Sequence, residues 1–559
     1  MGERSPKSDR INRRRLLKQG LVLAGGAVVA TRASAQDTPN TGAATPAVPE
    51  AAPNLHPPVV AVKGGKLRGF KDGGILTFLG VPYAEAERFE MPKPVKAWEG
   101  IKSAQSWGPV CPHPAQTAVG PDDFVFPHRY WVENENCQVL NIWTQSTAAK
   151  TKKPVMVWMH GGGFTYGSSM ESYAYDGKSL SEFGDVVVVS VNHRLNIIGS
   201  LDVSAYGAQY ANSRNTGMAD LVAALEWIHE NIEVFGGDPG SVTIFGQSGG
   251  GGKVTCLMHM PAAKDLFHKV ICESGALNYR GTNPAEIIKG SQAVAAETLK
   301  NLGLDGSQMD KVKKVPYGEL LAAGIAANET VGKQLGRTIG GWYPVADDVY
   351  LLREFCDWAD SIPFIAGTVM SEFNSNLREL EFPKNEWTQK QIEDRLTAAF
   401  GDKKDEVVAE FRKVYPGKKV QDVLFVDNDD RFRRGTKKLL ARKLEKTKAP
   451  VYNYIFTYEY QVNGGVTAWH CAEIAFAFHA LNEPHMRLAT GGVPSALALQ
   501  DKVSQAWVNF ARTGNPSQPG LAWKPYSLAG KETMIFDVVS EVRSHDDDKL
   551  QSLLPPTRG

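Results

Sequence analysis

Three features of the sequence predict an α/β protein built on a mostly parallel sheet. Residues 155–159 and 185–195 ("DVVVVSVNHRL") are near-continuous apolar runs, typical of strands buried on both faces of a parallel sheet. Residues 216–232 place Met218, Leu221, Val222, Leu225, Ile228 and Ile232 at helical spacing. A further apolar run, "VTIF" at 242–245, enters a glycine-rich turn and is followed by a helical stretch and another strand, "LFHKVICESG". Strand, helix, strand, helix, strand is the order of a parallel α/β sheet with helices on both faces.

The N-terminal end reads differently. Arginines 13 to 15 precede Leu16, Leu17 and Lys18, an apolar run from Gly20 to Ala30, and the small-x-small triplet Ala33-Ser34-Ala35. That pattern resembles a twin-arginine export signal cleaved after Ala35. The apolar run is about half the ~20 residues a membrane span needs, so no stable membrane insertion is expected. Residues 36–58, rich in Pro, Ala and Thr, read as a disordered tether. From Val59 to Glu85, short alternating runs broken by Gly-Gly pairs predict antiparallel hairpins. No internal linker or repeat interrupts the remainder, so residues 59–559 are expected to form one domain.

A net charge of +1 and an apolar content of 42% leave ample core and argue against nucleic acid or an anionic membrane as the main partner. Export would permit disulfides. Of the six cysteines only Cys111 and Cys137 lie in turn-like surroundings, whereas Cys256 and Cys272, in apolar runs, read as buried thiols. None has metal-ligand spacing, and no metal or cofactor is expected.

The stretch "VTIFGQSGGGGKV" (242–254) has three possible readings. A Walker loop needs Ser or Thr after Gly252-Lys253 and a glycine five places before Gly252; Val254 and Gln247 stand there instead. A linker needs polar flanks, which are absent. A strand–turn–helix presenting Ser248 fits, because Gly246-Gln247-Ser248-Gly249-Gly250 matches the nucleophile-elbow pattern G-x-S-x-G. Its chemistry needs backbone N–H groups aimed at a developing oxyanion. His160-Gly161-Gly162-Gly163, at the end of an earlier strand, supplies a loop of that kind.

At this point the chain resembles the type-B carboxylesterase (cholinesterase-like) family. "NIEVFGGDPGSVTIFGQSGGGG" resembles that family's serine signature, and "ENCQVLNIWT" its second signature. "WGPVCP", "VNHRL", "LFHKVICESGA" and "WVNFARTGNPS" match in order. The resemblance implies the α/β-hydrolase fold and a Ser-His-Glu triad acting on a small-molecule ester. It implies oxyanion donors at Gly162, Gly163 and Gly249. It also implies a Cys111–Cys137 bridge, closing a loop of about 27 residues worth roughly 3–4 kcal/mol in the chain-entropy model.

For the acid, the family pattern selects Glu372 in "PFIAGTVMSEFNSN", with Asp347 and Asp348 as rivals. For the base, only "WHCAEIAFAF" has the His-x-x-Glu pattern, which selects His470 over His479, His485 and His545. Ser274 matches a position that supports the triad in relatives. Gln247 stands where the family usually has Glu, Gly249 where it has Ala, Asn136 where it has Asp, and Phe373 where it has Gly. Gln247 leaves the site one negative charge poorer, which lowers its attraction for cationic esters. The expected function is an exported serine carboxylesterase for a bulky natural-product or xenobiotic ester. The alternatives are a catalytically silent binding module and an acyl hydrolase of thioesters or amides. Oligomeric state has no signature in the sequence.

Overall fold

The computed structural model describes residues 57–555 except 116–119, 121–122, 124, 149, 151, 278, 281, 337–341 and 379–382. The export signal and all of the tether but its last two residues lie outside the described residues. The tether boundary needs one correction. Pro58 already belongs to the fold, because its carbonyl accepts from Gly69 N–H at 2.9 Å.

Among the described residues eleven strands form one sheet. In chain order they are β1 (Phe70–Asp72), β2 (Ile75–Pro82), β3 (Val139–Thr144), β4 (Lys153–Met159), β5 (Val187–Val191) and β6 (Gly237–Gln247). β7 (Lys269–Glu273), β8 (Phe364–Val369), β9 (Val451–Phe456), β10 (Glu532–Phe536) and β11 (Glu541–Ser544) follow. Their spatial order is β1-β2-β3-β5-β4-β6-β7-β8-β9-β10-β11. The strands from β5 through β4 and β6 to β10 are parallel; β1, β2, β3 and β11 pair antiparallel at the edges. The expected N-terminal hairpin is Val59–Val62 with Gly65–Arg68, extended by Ile101–Ser103 into a separate three-stranded sheet.

The continuous apolar runs have a direct explanation in the packing. Val155, Val157 and Met159 of β4 point to one core. There they meet Met218, Leu221, Leu225 and Ile228 of helix α1 (Thr216–Asn231). Met156 and Trp158 point to the opposite core, which holds Val503, Trp507 and Phe510 of a C-terminal helix, Pro494–Thr513. A strand with helices on both faces has no polar side to show, so the period-2 alternation disappears. At the centre of the sheet β6 runs into helix α2 (Gly249–Leu257), and the candidate site lies at that carboxyl end.

Candidate active site

Between β6 and α2 stands a single residue, Ser248, at φ 57° and ψ −123°. Positive φ in a residue with a Cβ costs about 1–3 kcal/mol and persists only where the surroundings enforce it. Ser248 N–H donates to the Glu273 carbonyl at 2.8 Å, and Gly252 N–H donates to the Ser248 carbonyl at 3.0 Å. Gln247 is buried, whereas Ser248 is partly exposed. The strain therefore lifts the hydroxyl out of the sheet at the N-terminus of α2.

The glycine loop after β4 meets this turn. Gly162 and Gly163 have φ of 78° and 64°. A Cβ on Gly249 would collide with the Gly163 carbonyl, so glycine at 249 permits the close approach of loop and helix. Gly161 also lies beside the elbow, and a Cβ there would sit 3.5 Å from Ser248 Cβ. The structure thus brings Gly161 beside Ser248 and Gly163 against Gly249, with Gly162 between them in the loop.

Glu372 follows β8 and His470 lies 98 residues further on, yet their backbones are bridged: His470 N–H donates to the Glu372 carbonyl at 3.0 Å. His470 Nδ1 is hydrogen-bonded to Glu372 Oε2. The other carboxylate oxygen, Oε1, accepts from Ser274 Oγ at 2.7 Å and from Val369 N–H at 3.1 Å. Burial pushes the Glu372 carboxyl up; the bonds from Ser274 and Val369 oppose it. Burial, with Glu372 beside them, also raises Asp427 and Glu473. The rivals are engaged elsewhere. Asp347 Oδ1 accepts from Val349, Tyr350 and Leu351 N–H at 3.0, 2.8 and 3.1 Å. Asp348 pairs with Arg353 at 2.8 Å. Among the other histidines, His479 bonds Asp501 at 2.9 Å, His485 faces Tyr173, and His545 is buried 3.9 Å from Asp547.

Two of the four substitutions that set this sequence apart, Gln247 and Phe373, lie beside His470. Gln247 Nε2 lies 3.3 Å from His470 Nε2 and 3.5 Å from Nδ1, hence along the ring. Gln247 Oε1 accepts from Cys471 Sγ at 3.1 Å. An amide can do both at once, whereas a glutamate could only accept. Phe373, in place of the family's glycine, sets its ring 4.3 Å from the imidazole, and Phe432 sets another at 4.9 Å.

The Cys111–Cys137 bridge is not shown. Cys111 and Cys137 are buried side by side with Leu195, but both are free thiols. Cys111 Sγ instead accepts from Leu195 N–H at 3.2 Å and donates to the Pro112 carbonyl at 3.5 Å. Burial, then Cys111 beside it, pushes the Cys137 thiol up. Cys256 and Cys272 are buried free thiols, as expected.

The sequence reading missed Lys253. Weighed only against the Walker pattern, it is buried within α2 at 0% exposure. Its ammonium donates to the His160 carbonyl at 2.8 Å and reaches the Gly161 carbonyl at 3.4 Å. The usable signal was a lone cation in an otherwise apolar helix.

Sheet order and elbow position together define an α/β-hydrolase. Residues 56–552 match the carboxylesterase family, and the chain belongs to that family. It is 30% identical to the para-nitrobenzyl esterase of Bacillus subtilis (strain 168), covering 90% of this chain and 99% of that protein. It is likewise 30% identical to the fumonisin B1 esterase of Sphingopyxis macrogoltabida, covering 88% of each. Among solved structures, an esterase from Clostridium hathewayi, described as hydrolysing aliphatic aromatic polyesters, superimposes with a TM-score of 0.80. It is 40% identical, with 89% of this chain and 97% of that one covered. The protein is a carboxylic ester hydrolase whose substrates are small-molecule esters.

Proposed function

We propose that Ser248, His470 and Glu372 form a catalytic triad that hydrolyses a bulky natural-product or xenobiotic ester through an acyl-enzyme. The observation that carries this reading is the buried His470–Glu372 pair, together with a strained, partly exposed Ser248 whose neighbour Gln247 lies against the His470 ring. Serine is a weak nucleophile until a neutral imidazole takes its proton. Glu372 fixes the imidazole tautomer and stabilises the imidazolium that forms. The N–H groups of Gly162, Gly163 and Gly249 receive the tetrahedral oxyanion, each worth roughly 3–4 kcal/mol by comparison with single-donor deletions elsewhere. His470 then protonates the leaving alcohol, and water, activated by the same base, releases the acid.

Ser248→Ala should abolish hydrolysis of p-nitrophenyl esters while leaving the circular dichroism spectrum unchanged. An organophosphate should label Ser248 once per chain. Labelling at another serine, or activity in the variant, refutes the assignment. The substrate class follows the fumonisin- and polyester-hydrolysing relatives, and is tested by ranking kcat/KM from short to bulky esters.

Export to the periplasm or medium rests on residues 13–35. Replacing Arg13 and Arg14 by lysine should strand the precursor in the cytoplasm; unchanged export would refute a twin-arginine route.

A further inference from the structure

Lys253 is difficult to account for as a packing residue. A lysine is almost never fully buried unless paired. This one has no carboxylate within ion-pair distance among the described residues. Its contacts are two peptide carbonyls, those of His160 and Gly161, and the Phe164 ring, 5.8 Å from the ammonium.

Those carbonyls belong to the glycine loop. In a trans peptide the C=O and N–H point in opposite directions. The Gly161 carbonyl shares its peptide with Gly162 N–H, and the His160 carbonyl shares its own with Gly161 N–H. A cation on the carbonyl side therefore faces away from the donor side and draws electron density from it. Hydrogen bonds chained in this way strengthen one another, and the effect is larger in a low-dielectric interior.

We infer that Lys253 is a positioning residue of the oxyanion hole: its ammonium anchors the glycine loop through the His160 carbonyl and, through the Gly161 carbonyl, orients and polarises the peptide that presents the Gly162 donor. The inference rests on the triad reading above. It gives the buried cation a purpose that a packed Met or Leu could not serve, since neither would hold the two carbonyls.

The surroundings make this charge sensitive to pH. Burial pushes the Lys253 ammonium down to about 7, partly offset by Glu171 and Cys111. The groups facing it are His160 on the glycine loop, His193 after β5, Glu171, and Cys111 on the 111–113 segment, with His113 behind His160. The rest of α2 adds no charge. His160 and His193 are held well below their ordinary value, first by burial and then by Lys253, so they stay neutral. As pH rises through about 7, Lys253 loses its proton and the loop loses its charged donor. The wild-type kcat/KM profile should therefore fall on its alkaline side, in addition to the acid-side fall from protonating the catalytic base.

The test is Lys253→Met, which keeps length and removes charge, with Lys253→Arg, which keeps charge at all accessible pH. For Lys253→Met we expect kcat lower by about 10–100-fold, less than or near the loss of a whole donor. KM should stay within about threefold, because the effect is on the transition state. The alkaline fall should vanish in Lys253→Met. A Lys253→Met enzyme with wild-type kcat and an unchanged alkaline limb overturns the inference, as does a loss confined to thermal stability. Should Lys253→Met fail to fold, Lys253→Arg decides: it keeps the charge, so it should retain kcat within about tenfold and lose the alkaline fall, and an Arg enzyme with the wild-type alkaline limb overturns the inference. Activity surviving in Ser248→Ala would instead refute the underlying triad.

Discussion

Glu372 occupies a left-handed conformation, φ 45°, at the point where its carboxylate can meet Ser274, Val369 N–H and His470 together. With both oxygens engaged, its part in the site is orientation of the imidazole as well as charge. Glu372→Gln keeps the volume and replaces an acceptor with a donor at one of those contacts. It should lower kcat by about 10⁴-fold, the size of the corresponding acid-to-amide change in the serine-protease template, with little change in KM. Asp347→Asn and Asp348→Asn should leave kcat within about tenfold. Steady-state kinetics of the three variants separates the assignments: a collapse in either aspartate variant with an active Glu372→Gln moves the acid elsewhere. Phe373 and Phe432 belong to this scale as well, because rings at 4.3 and 4.9 Å restrict the tilt of the imidazole that Glu372 orients.

The elements are locked to one another by buried charge. Arg194, in the segment after β5, makes a two-pronged bond to Asp220 of α1, with Nε to Oδ2 at 2.9 Å and Nη2 to Oδ1 at 2.7 Å. Its third nitrogen donates to the carbonyls of Glu87 and Glu90 at 3.0 and 2.9 Å. One guanidinium thereby ties the sheet, a helix and the N-terminal segment together. The residue before it, His193, has its ring 5.2 Å from that of His160 at the head of the glycine loop. Asp220→Asn leaves the guanidinium in place without its countercharge, and breaking a buried pair in this way costs about 3–5 kcal/mol. The urea midpoint should fall accordingly; a midpoint equal to wild type would show that the pair contributes nothing net.

Across the whole molecule, acid stability depends on carboxylates that the fold holds ionised. Glu459 is held at about 2: burial pushes it up, but Lys384 and Lys419 outweigh that. Its folded value lies below the reference value of 4.5, so folding favours the ionised form. That stabilisation is complete above the unfolded value and is lost as pH falls through about 2. Asp547, beside Arg433 and Lys437, is depressed in the same sense. The urea midpoint should drop steeply between about pH 4.5 and 2, and Glu459→Gln should flatten the drop. A variant with the wild-type slope would remove Glu459 from the account. The raised carboxyls act in the opposite direction. Burial favours protonated Asp427 and Glu473 in the folded state, so their contribution weakens as pH rises above the unfolded value.

What the sequence determined by itself is what local physics dictates. Apolar runs without alternation become strands covered on both sides. Glycines flanking Ser248 become a turn that side chains would block, and a 3.6-residue period becomes α1. Ser248, Glu372 and His470 were legible because a strand end, a turn and a family pattern each mark one position. The Glu372–His470 contact spans 98 residues, and only the tertiary structure decided it. The same holds for Lys253, which the sequence presented only as part of a failed Walker pattern. Its burial follows from the glycine loop folding over α2 and offering carbonyls in place of water. Cys111 and Cys137 show the limit from the other side. Their neighbourhood was correctly anticipated, but the thiols remain free, with Cys111 bound to Leu195 N–H and the Pro112 carbonyl. Sequence spacing carries proximity, whereas side-chain contacts such as these arise only where the folded chain brings the segments together.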